Sequence, residues 1–313
     1  MHLLIPFASA LSDAATQVVR DTPLPHLSKL LALLTPTDRD AGDELTFSPP
    51  HERALAAAWH WHGADGCLPF AARAAAADGI APGDAAWGLV TPVHWHLARD
   101  HVALVDPAAL NLTDTESHAA FTAVRDLFES EGLRFEWGAA SRWYVAHDGL
   151  ADLPCAALDR VIGRRVEYWT GNTVQTTPAA ALMRRLQSEV QLLLYPHPIN
   201  EEREARGALT LNSFWLSGCG RAQASDAAAV TVNDTLRAPL LAQDWAAWAE
   251  AWQALDRGSL AQLHAMAQRG ERVSLTLCGE RSAQRFENTP RSVWKRFGAR
   301  WATTLPHTVL ETL

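Results

Sequence analysis

The sequence of 313 residues is poor in lysine and cysteine and has no long apolar run. Only two of its 27 basic residues are lysines, and 35 acidic residues give a net charge of −8. An acidic chain without a basic cluster argues against a nucleic-acid-binding surface. No apolar segment approaches the ~18–20 residues that cross a bilayer, and the first residues lack the basic region of a secretory signal. These features predict a cytoplasmic protein with neither a nucleic-acid nor a membrane partner.

The cysteines are few and scattered, and they form no Cys-x-x-Cys pair. They are Cys67, Cys155, Cys219 and Cys278. This spacing excludes a zinc ribbon and a thioredoxin-type site. At 48% hydrophobic residues the chain can build a core without disulfides. We therefore predict free thiols or small buried side chains in a reducing compartment.

Strand-like and helix-like segments alternate along the chain, which predicts an α/β or α+β fold with a mixed sheet flanked by helices. Amphipathic or helical segments are predicted over 12–20, 24–34, 52–61, 69–78, 114–131, 178–194, 244–255, 260–269 and 292–301. Strands are predicted over 3–8, 86–98, 101–106, 133–137, 142–146, 209–217, 227–232 and 273–277, and a polar loop over 36–50. A Gly/Pro-rich joint at 79–83 suggests an N-terminal part (1–85), a central part (86–220) and a C-terminal part (221–313), with one compact unit as the alternative.

The densest group of polar residues and glycines lies between 195 and 220. Asn200 can cap a short helix on which Arg203 and Arg206 face the same side. Arginine guanidinium groups beside a glycine-rich turn can bind a phosphate or a carboxylate through paired N–H donors. The structural alternative is that the asparagine is only a cap and that the arginines pair with neighbouring glutamates.

We predict that this segment forms an anion-binding pocket for a small phosphorylated or carboxylate metabolite. Arg203 would pair with the anion, two asparagines would orient the ligand and Trp215 would form an apolar wall. The predicted lining is His197, Asn200, Arg203, Asn212, Trp215, Gly218 and Gly220.

Two His-x-His pairs, His60/His62 and His94/His96, suggest a metal site as an alternative. On a strand, the second pair would point to one face, whereas on a helix the first pair would diverge. Neutral imidazoles bind divalent metals such as Zn or Mn, but no acidic residue has a diagnostic spacing with these histidines. We predict no cofactor, with a divalent metal as the alternative.

Two further positions are secondary candidates. Cys278 ends a buried strand before a predicted helix, where a lowered pKa would make it a nucleophile; a packed thiol is the alternative. His51 and Arg53 lie in the first turn of a helix after Pro49-Pro50. The alternative is an ordinary helix start that carries charged residues and has no functional role.

The chain has 13 tryptophans, an unusually large number. Trp245, Trp248 and Trp252 are spaced to form one stripe on a helix. Such a stripe packs in a core or marks a surface for a protein partner. A protein-interaction scaffold is therefore one of the functions to test.

Several motifs spread over the chain resemble the bacterial RpfE-type regulatory protein family, a phosphoglycerate mutase-like group. They are Ser48-Pro49-Pro50-His51-Glu52-Arg53, Asp65-Gly66-Cys67-Leu68-Pro69, Thr91-Pro92-Val93-His94-Trp95, Leu158-Asp159-Arg160-Val161-Ile162-Gly163-Arg164, Arg184-Arg185-Leu186-Gln187-Ser188-Glu189, the segment 197–207 and Asn212-Ser213-Phe214-Trp215-Leu216-Ser217-Gly218. More distantly, 197–220 is similar to the archaeal-type cofactor-independent phosphoglycerate mutases of the alkaline phosphatase superfamily. That likeness implies part of their architecture, two metals and a serine that becomes phosphorylated.

The sequence departs from those enzymes where their metals would bind. The resemblance implies an Asp-Gly ligand pair after the first strand, where this chain has Ala8-Ser9-Ala10. It also implies late Asp-His and His ligands, which have no counterpart after Gly220. A two-metal site stabilises the attacking and leaving oxygens of phosphoryl transfer, and without its ligands that chemistry is lost.

We therefore predict a regulatory or ligand-binding protein that derives from a phosphoglycerate mutase-like ancestor and lacks the two-metal and serine site. One alternative is a metal-dependent phosphoglycerate mutase or phosphatase with relocated ligands. These ligands would come from His51, His60, His62, His94 and His96.

Overall fold

The computed structural model describes residues 1–170, 177–224, 230–288 and 304–313. The chain divides into two compact units. Unit 1 comprises Met1–Glu44, Pro49–Trp61 and Ser225–Leu313, and unit 2 comprises Leu45–Ser48 and His62–Ala224. This division differs from the three consecutive parts that the sequence suggests, because the first strand of the chain pairs with strands from the last third.

Strands and helices alternate through both units. The strands are β1 (His2–Ile5), β2 (Thr35–Ala41), β3 (Ala86–Val93), β4 (Trp95–Leu97), β5 (Val102–Leu104), β6 (Arg134–Ala139), β7 (Arg142–Ala146), β8 (Ser213–Arg221), β9 (Thr231–Val232), β10 (Ser274–Cys278) and β11 (Ser282–Glu287). The helices are α1 (Asp13–Asp21), α2 (Pro25–Leu33), α3 (Pro50–Ala58), α4 (Phe70–Ala77), α5 (Asp114–Glu129), α6 (Leu158–Val161), α7 (Glu167–Thr170), α8 (Pro178–Leu194), α9 (Pro198–Ala205), α10 (Arg237–Leu241), α11 (Trp245–Leu255) and α12 (Ala261–Arg269). Shorter helical turns lie at Pro107–Leu110, Asp148–Leu150, Asp256–Leu260 and Pro306–Leu310.

Unit 1 contains a mixed sheet in the order β2-β11-β10-β1-β9. β1 is parallel to both of its neighbours, β10 and β9, whereas β11 is antiparallel to β10 and β2. The apolar run Leu3, Leu4 and Ile5 is buried, as expected for a central strand covered on both faces. The predicted mixed sheet with flanking helices is confirmed.

The tryptophan stripe of α11 lies in the core of unit 1. Trp248 and Trp252 are fully buried and pack with apolar residues of β1, β10 and α2. Trp245 is half-buried and contacts the edge of Trp248, with ring centroids 6.1 Å apart. The idea that these residues mark an exposed partner surface is therefore wrong for the two buried indoles.

Unit 2 is built on an antiparallel sheet in the order β6-β7-β3-β8. Successive side chains of a strand point to opposite faces of the sheet, so these strands contribute to two separate apolar clusters. Trp143 and Val145 pack with α5 and α8, whereas Tyr144 and Ala146 pack with the alanine face of α4. β4 and β5 form a separate two-stranded antiparallel sheet, so the predicted strand at 86–98 is divided into β3 and β4.

Several local predictions need correction. The predicted polar loop at 36–50 contains the edge strand β2, and β8 continues through Gly218 and Gly220 to Arg221. Cys278 leads into β11 through a tight turn rather than into a helix. The N-cap of α9 is His197, not Asn200. The predicted helix at 292–301 and the first half of the predicted strand at 227–232 lie outside the described residues, and the described half contains β9.

The described part of the chain has no helix that combines the length and the apolar character needed to cross a membrane.

Candidate functional site

Arg203, the residue predicted to bind an anion, is completely buried in unit 2. Its Nε donates to the carbonyl of Leu209 (2.6 Å), and its Nη1 donates to Oε1 of Glu116 (2.8 Å). Its Nη2 donates to the carbonyl of Leu110. The guanidinium thus joins α9 to α5 and to the turn before α5. These internal acceptors take the place of the ligand that the sequence predicts.

Glu116 is the acidic partner at the centre of this network. It completes a capping box at the start of α5, where Thr113 and Glu116 exchange hydrogen bonds. The exposed Arg206 also pairs with it. Desolvation raises the pKa of Glu116, but the hydrogen bonds from Thr113 and the two arginines outweigh it and lower the pKa to about 2. The carboxylate is therefore ionised at neutral pH and neutralises the buried Arg203.

The two asparagines of the predicted pocket hold backbone segments together. Asn200 donates to the carbonyls of Leu194 (2.9 Å) and Leu211 (2.7 Å) and accepts from the Leu211 N–H (2.8 Å). Asn212 pairs in the same way with the N–H and the carbonyl of Trp95, at 2.7 and 3.0 Å. These bonds link the end of α8 and the strand β4 to the segment just before β8.

His197 and the two glycines also have structural roles. The ring of His197 accepts from the N–H of Ile199 and caps α9. Gly218 has a φ of +63°, and a Cβ built there would lie 2.9 Å from the backbone nitrogen of Ala71. Gly220 has a φ of +148° and faces Pro69. The glycines therefore let the start of α4 approach β8 closely, rather than forming an anion-binding turn.

Trp215 is the predicted site residue that lines a cavity. The cavity lies within unit 2 and has a volume of about 90 Å³. Trp215 is 3% exposed, and its Nε1 donates to the carbonyl of Ala156 at 2.8 Å, which fixes the indole in the wall. The lining residues are Phe47, Leu153, Pro154, Cys155, Ala156, Tyr168, Trp169, Thr170, Ala180, Met183, Arg184, Gln187, Trp215 and Leu216.

A few polar groups interrupt this aromatic and aliphatic wall. Arg184 and Gln187 project from one side of α8, and the amide of Gln187 donates to the carbonyl of Phe214. The indole nitrogen of Trp169 is buried and has no hydrogen-bond acceptor among the described residues. An apolar cavity with a few polar groups is the usual form of a small-molecule site.

A groove along α8 continues from the cavity through two depressions. The nearer one shares Arg184 and Gln187 with the cavity. The farther one is lined by Asn200 and Asn212 and shares Trp95 with the nearer one. The structure thus places the two asparagines, of which Asn200 is buried, beside one depression. It separates them from the cavity wall at Trp215 and buries Arg203 completely.

The histidines proposed as metal ligands do not form a cluster. His94 follows β3, and its Nδ1 lies 2.8 Å from the carbonyl of Thr210; its ring centroid is 6.5 Å from that of His96. His60 and His62 follow α3 rather than lying on it. In residues 1–170, 177–224, 230–288 and 304–313, no group of three or more His, Cys, Asp or Glu side chains could hold a metal ion. The relocated metal set is therefore absent from this part of the chain.

The secondary candidates lie in unit 1 and are built into its structure. The ring of His51 packs against Phe7, with centroids 5.1 Å apart, and Arg53 donates to Asp40 at 2.6 Å. Cys278 is fully buried, and desolvation raises its pKa well above the ordinary value. The prediction of an activated nucleophile at Cys278 is therefore wrong, and the packed thiol is the correct alternative.

A group of thiols in unit 2 was not visible in the sequence. The sulfur atoms of Cys155 and Cys219 lie 3.6 Å apart. Cys67 is close enough to influence both: desolvation and the neighbouring Cys155 raise the pKa of Cys67 to about 11. The three residues are separated by 64 or more positions along the chain, and only the fold of unit 2 brings them together.

No family model and no curated protein matches this chain. Among solved structures, it is similar to a cofactor-independent phosphoglycerate mutase from Thermoplasma acidophilum, with 13% identity, a TM-score of 0.36 and coverage of 98% of this chain and 94% of that one. It is also similar to the PH0037 protein from Pyrococcus horikoshii, with 11% identity, a TM-score of 0.43 and coverage of 92% and 87%. Structural neighbours therefore include a phosphoglycerate mutase, whereas the RpfE-type family stays a prediction.

Proposed function

We propose that this protein is a regulatory or ligand-binding protein that takes a small molecule into the Trp215 cavity of unit 2. The ligand would combine a flat apolar part with an acidic or hydrogen-bond-accepting group. The observation that carries the proposal is the cavity itself, which has a volume of about 90 Å³, is walled by indoles and is flanked by the side chain of Arg184.

The lining residues suit such a ligand in different ways. Trp215 is held by its bond to Ala156 and offers a rigid apolar surface. Met183 is flexible and adapts to the shape of what it packs against. Arg184 is exposed and supplies a positive charge at the edge of the cavity, where it can pair with a carboxylate or a phosphate.

This proposal keeps the acidic metabolite that the sequence suggests but moves its site from Arg203 to the cavity beside α8. The internal contacts of Arg203 support the move, because a ligand would have to compete with three protein acceptors. Descent from a phosphoglycerate mutase-like ancestor without retained catalysis is part of the same proposal.

Two matched probes test the site: 2-naphthoate, which is flat and anionic, and 2-naphthalenemethanol, which has the same rings without the charge. We expect both to bind by isothermal titration calorimetry, with the anion favoured. Arg184→Gln should weaken naphthoate binding by up to about fivefold, because Arg184 is exposed and an exposed ion pair contributes about 0.2–1 kcal/mol. Binding of the neutral probe should hardly change.

The neighbouring Arg185 provides the control. Its guanidinium lies 2.7 Å from Glu131 and 3.7 Å from Glu189, and it does not line the cavity. Arg185→Gln should therefore leave both affinities unchanged. Equal effects of the two substitutions, or no binding of either probe at millimolar concentration, would contradict the proposed site.

A turnover assay separates the proposal from the enzyme alternative. Purified protein would be tested for interconversion of 3- and 2-phosphoglycerate with added manganese and with a metal-stripped control. We expect no turnover in either sample. Metal-dependent turnover would overturn the non-catalytic role. The side chains that bind the metal would then have to be identified.

A further inference from the structure

Cys155 and Cys219 meet at the wall of the cavity in unit 2. Their sulfur atoms are 3.6 Å apart, within reach of an S–H···S hydrogen bond. A disulfide bond has a length of about 2.05 Å, so closure requires the two sulfurs to approach by roughly 1.6 Å. A rotamer adjustment or a small movement of one segment can supply such a displacement.

The surroundings of the pair provide both a fixed partner and an accessible one. Cys219 lies on β8 and is fully buried, and the absence of a side chain at Gly88 leaves room for its sulfur. Cys155 lies on the segment between the Asp148–Leu150 turn and α6; it is partly exposed and lines the cavity. A small oxidant entering the cavity therefore meets Cys155 first.

We infer that Cys155 and Cys219 form a redox-sensitive pair in which oxidation by a hydroperoxide closes a disulfide at the cavity wall. The inference rests on the positions of the two thiols and does not require that the cavity binds a metabolite. It assigns a modification site to residues that the sequence leaves unrelated.

The chemistry proceeds in two balanced steps. The sulfur of Cys155, as its thiolate, attacks the hydroperoxide: an S–O bond forms, the O–O bond breaks, and the departing alkoxide takes a proton and leaves as an alcohol, or as water when the oxidant is hydrogen peroxide. The sulfur of Cys219 then attacks the resulting sulfenic acid, an S–S bond forms and the S–O bond breaks. The proton of Cys219 leaves with the hydroxide as water. Two thiols are oxidised, and one peroxide is reduced.

The burial of Cys219 influences the speed of the second step. Its hydrogen bond with Cys155 and desolvation raise the pKa of Cys219 well above the ordinary value, so little thiolate is present at neutral pH. Closure should therefore become faster as the pH rises. The sulfenic acid on Cys155 should accumulate before the disulfide, where a sulfenic-acid-specific reagent such as dimedone can trap it.

The experiment treats the full-length native protein with a slight excess of hydrogen peroxide, blocks the remaining thiols with iodoacetamide and maps the peptides by mass spectrometry. We expect two of the four thiols to be lost, a mass decrease of about 2 Da in the intact protein before blocking, and a linked peptide pair containing Cys155 and Cys219. Dithiothreitol should restore all four thiols.

Three alanine variants sharpen the test. Cys155→Ala and Cys219→Ala should each abolish the linked peptide, whereas Cys278→Ala, which removes a buried thiol of unit 1, should leave it unchanged. A link between Cys67 and either partner would overturn the assigned pair. So would oxidation of Cys155 to the sulfinic acid without any link. The wild-type peptide map decides the question even if a variant fails to fold.

Discussion

Replacing Arg203 by methionine tests whether its guanidinium is a structural cross-link or a ligand-binding group. Methionine keeps the aliphatic part but removes the charge and all the donors. Glu116, whose side chain is only 12% exposed, would lose its buried partner, and the carbonyls of Leu209 and Leu110 would lose their donors. Breaking a buried ion pair from one side typically costs about 3–5 kcal/mol. Since a domain is stable by about 5–15 kcal/mol, unit 2 should lose a large part of its stability.

The measurement is urea unfolding followed by circular dichroism. The control is Arg206→Met, which removes the other arginine from the same carboxylate. Because the side chain of Arg206 is 52% exposed, its loss should cost less than about 1 kcal/mol. The reasoning would be refuted if Arg203→Met unfolded at the same urea concentration as the control and had also lost binding of inorganic phosphate. That result would restore the anion-binding role that the sequence suggests for Arg203.

The same network makes stability depend on acid pH. The pKa of Glu116 is about 2 in the folded protein and 4.5 in its ordinary state, so the folded protein binds this proton less readily than the unfolded chain. Its contribution is fully present above pH 4.5 and is lost as the pH falls toward 2. We expect about 2 kcal/mol from this group after allowance for its partial exposure. Unfolding of Glu116→Gln should show a shallower dependence on pH between 5 and 2 than unfolding of the wild type; equal slopes would contradict this account.

Two further substitutions test packing in each unit. Trp248→Ala should destabilise unit 1 by about 3–5 kcal/mol because it empties a fully buried site, whereas Trp245→Ala should cost clearly less; equal losses in thermal unfolding would show that the stripe is not core. In unit 2, Gly218→Ala should cost more than Gly207→Ala. Both glycines have positive φ, at +63° and +71°, but only a Cβ at Gly218 meets backbone at 2.9 Å, so the difference between their unfolding midpoints measures the clash with α4. Equal midpoints would argue against the close approach of α4 to β8.

Elements whose apolar residues follow a regular period could be predicted from the sequence. The bounds predicted for α8, 178–194, agree with the structure because its apolar positions repeat at helical spacing and Pro178 follows the capping residue Thr177. β2 was missed for the opposite reason. Its residues Thr35–Ala41 are mostly exposed at the edge of a sheet, so the strand has no apolar alternation and resembles a polar loop.

The candidate site was harder to predict because the same residue types serve ligands and buried backbone alike. Arg203 and Asn200 each have more than one N–H donor. Such donors can bind an anion, but here they bind the backbone carbonyls of Leu209 and Leu211 just before β8. The choice between the two roles depends on Glu116, which is 87 positions from Arg203. The sequence offers no signal of that proximity, since neither residue has a periodic pattern that points to the other. Polar residues around a chain reversal therefore indicate a place where backbone groups need hydrogen-bond partners. A ligand site requires open space beside such residues as well, and that space remains at Trp215.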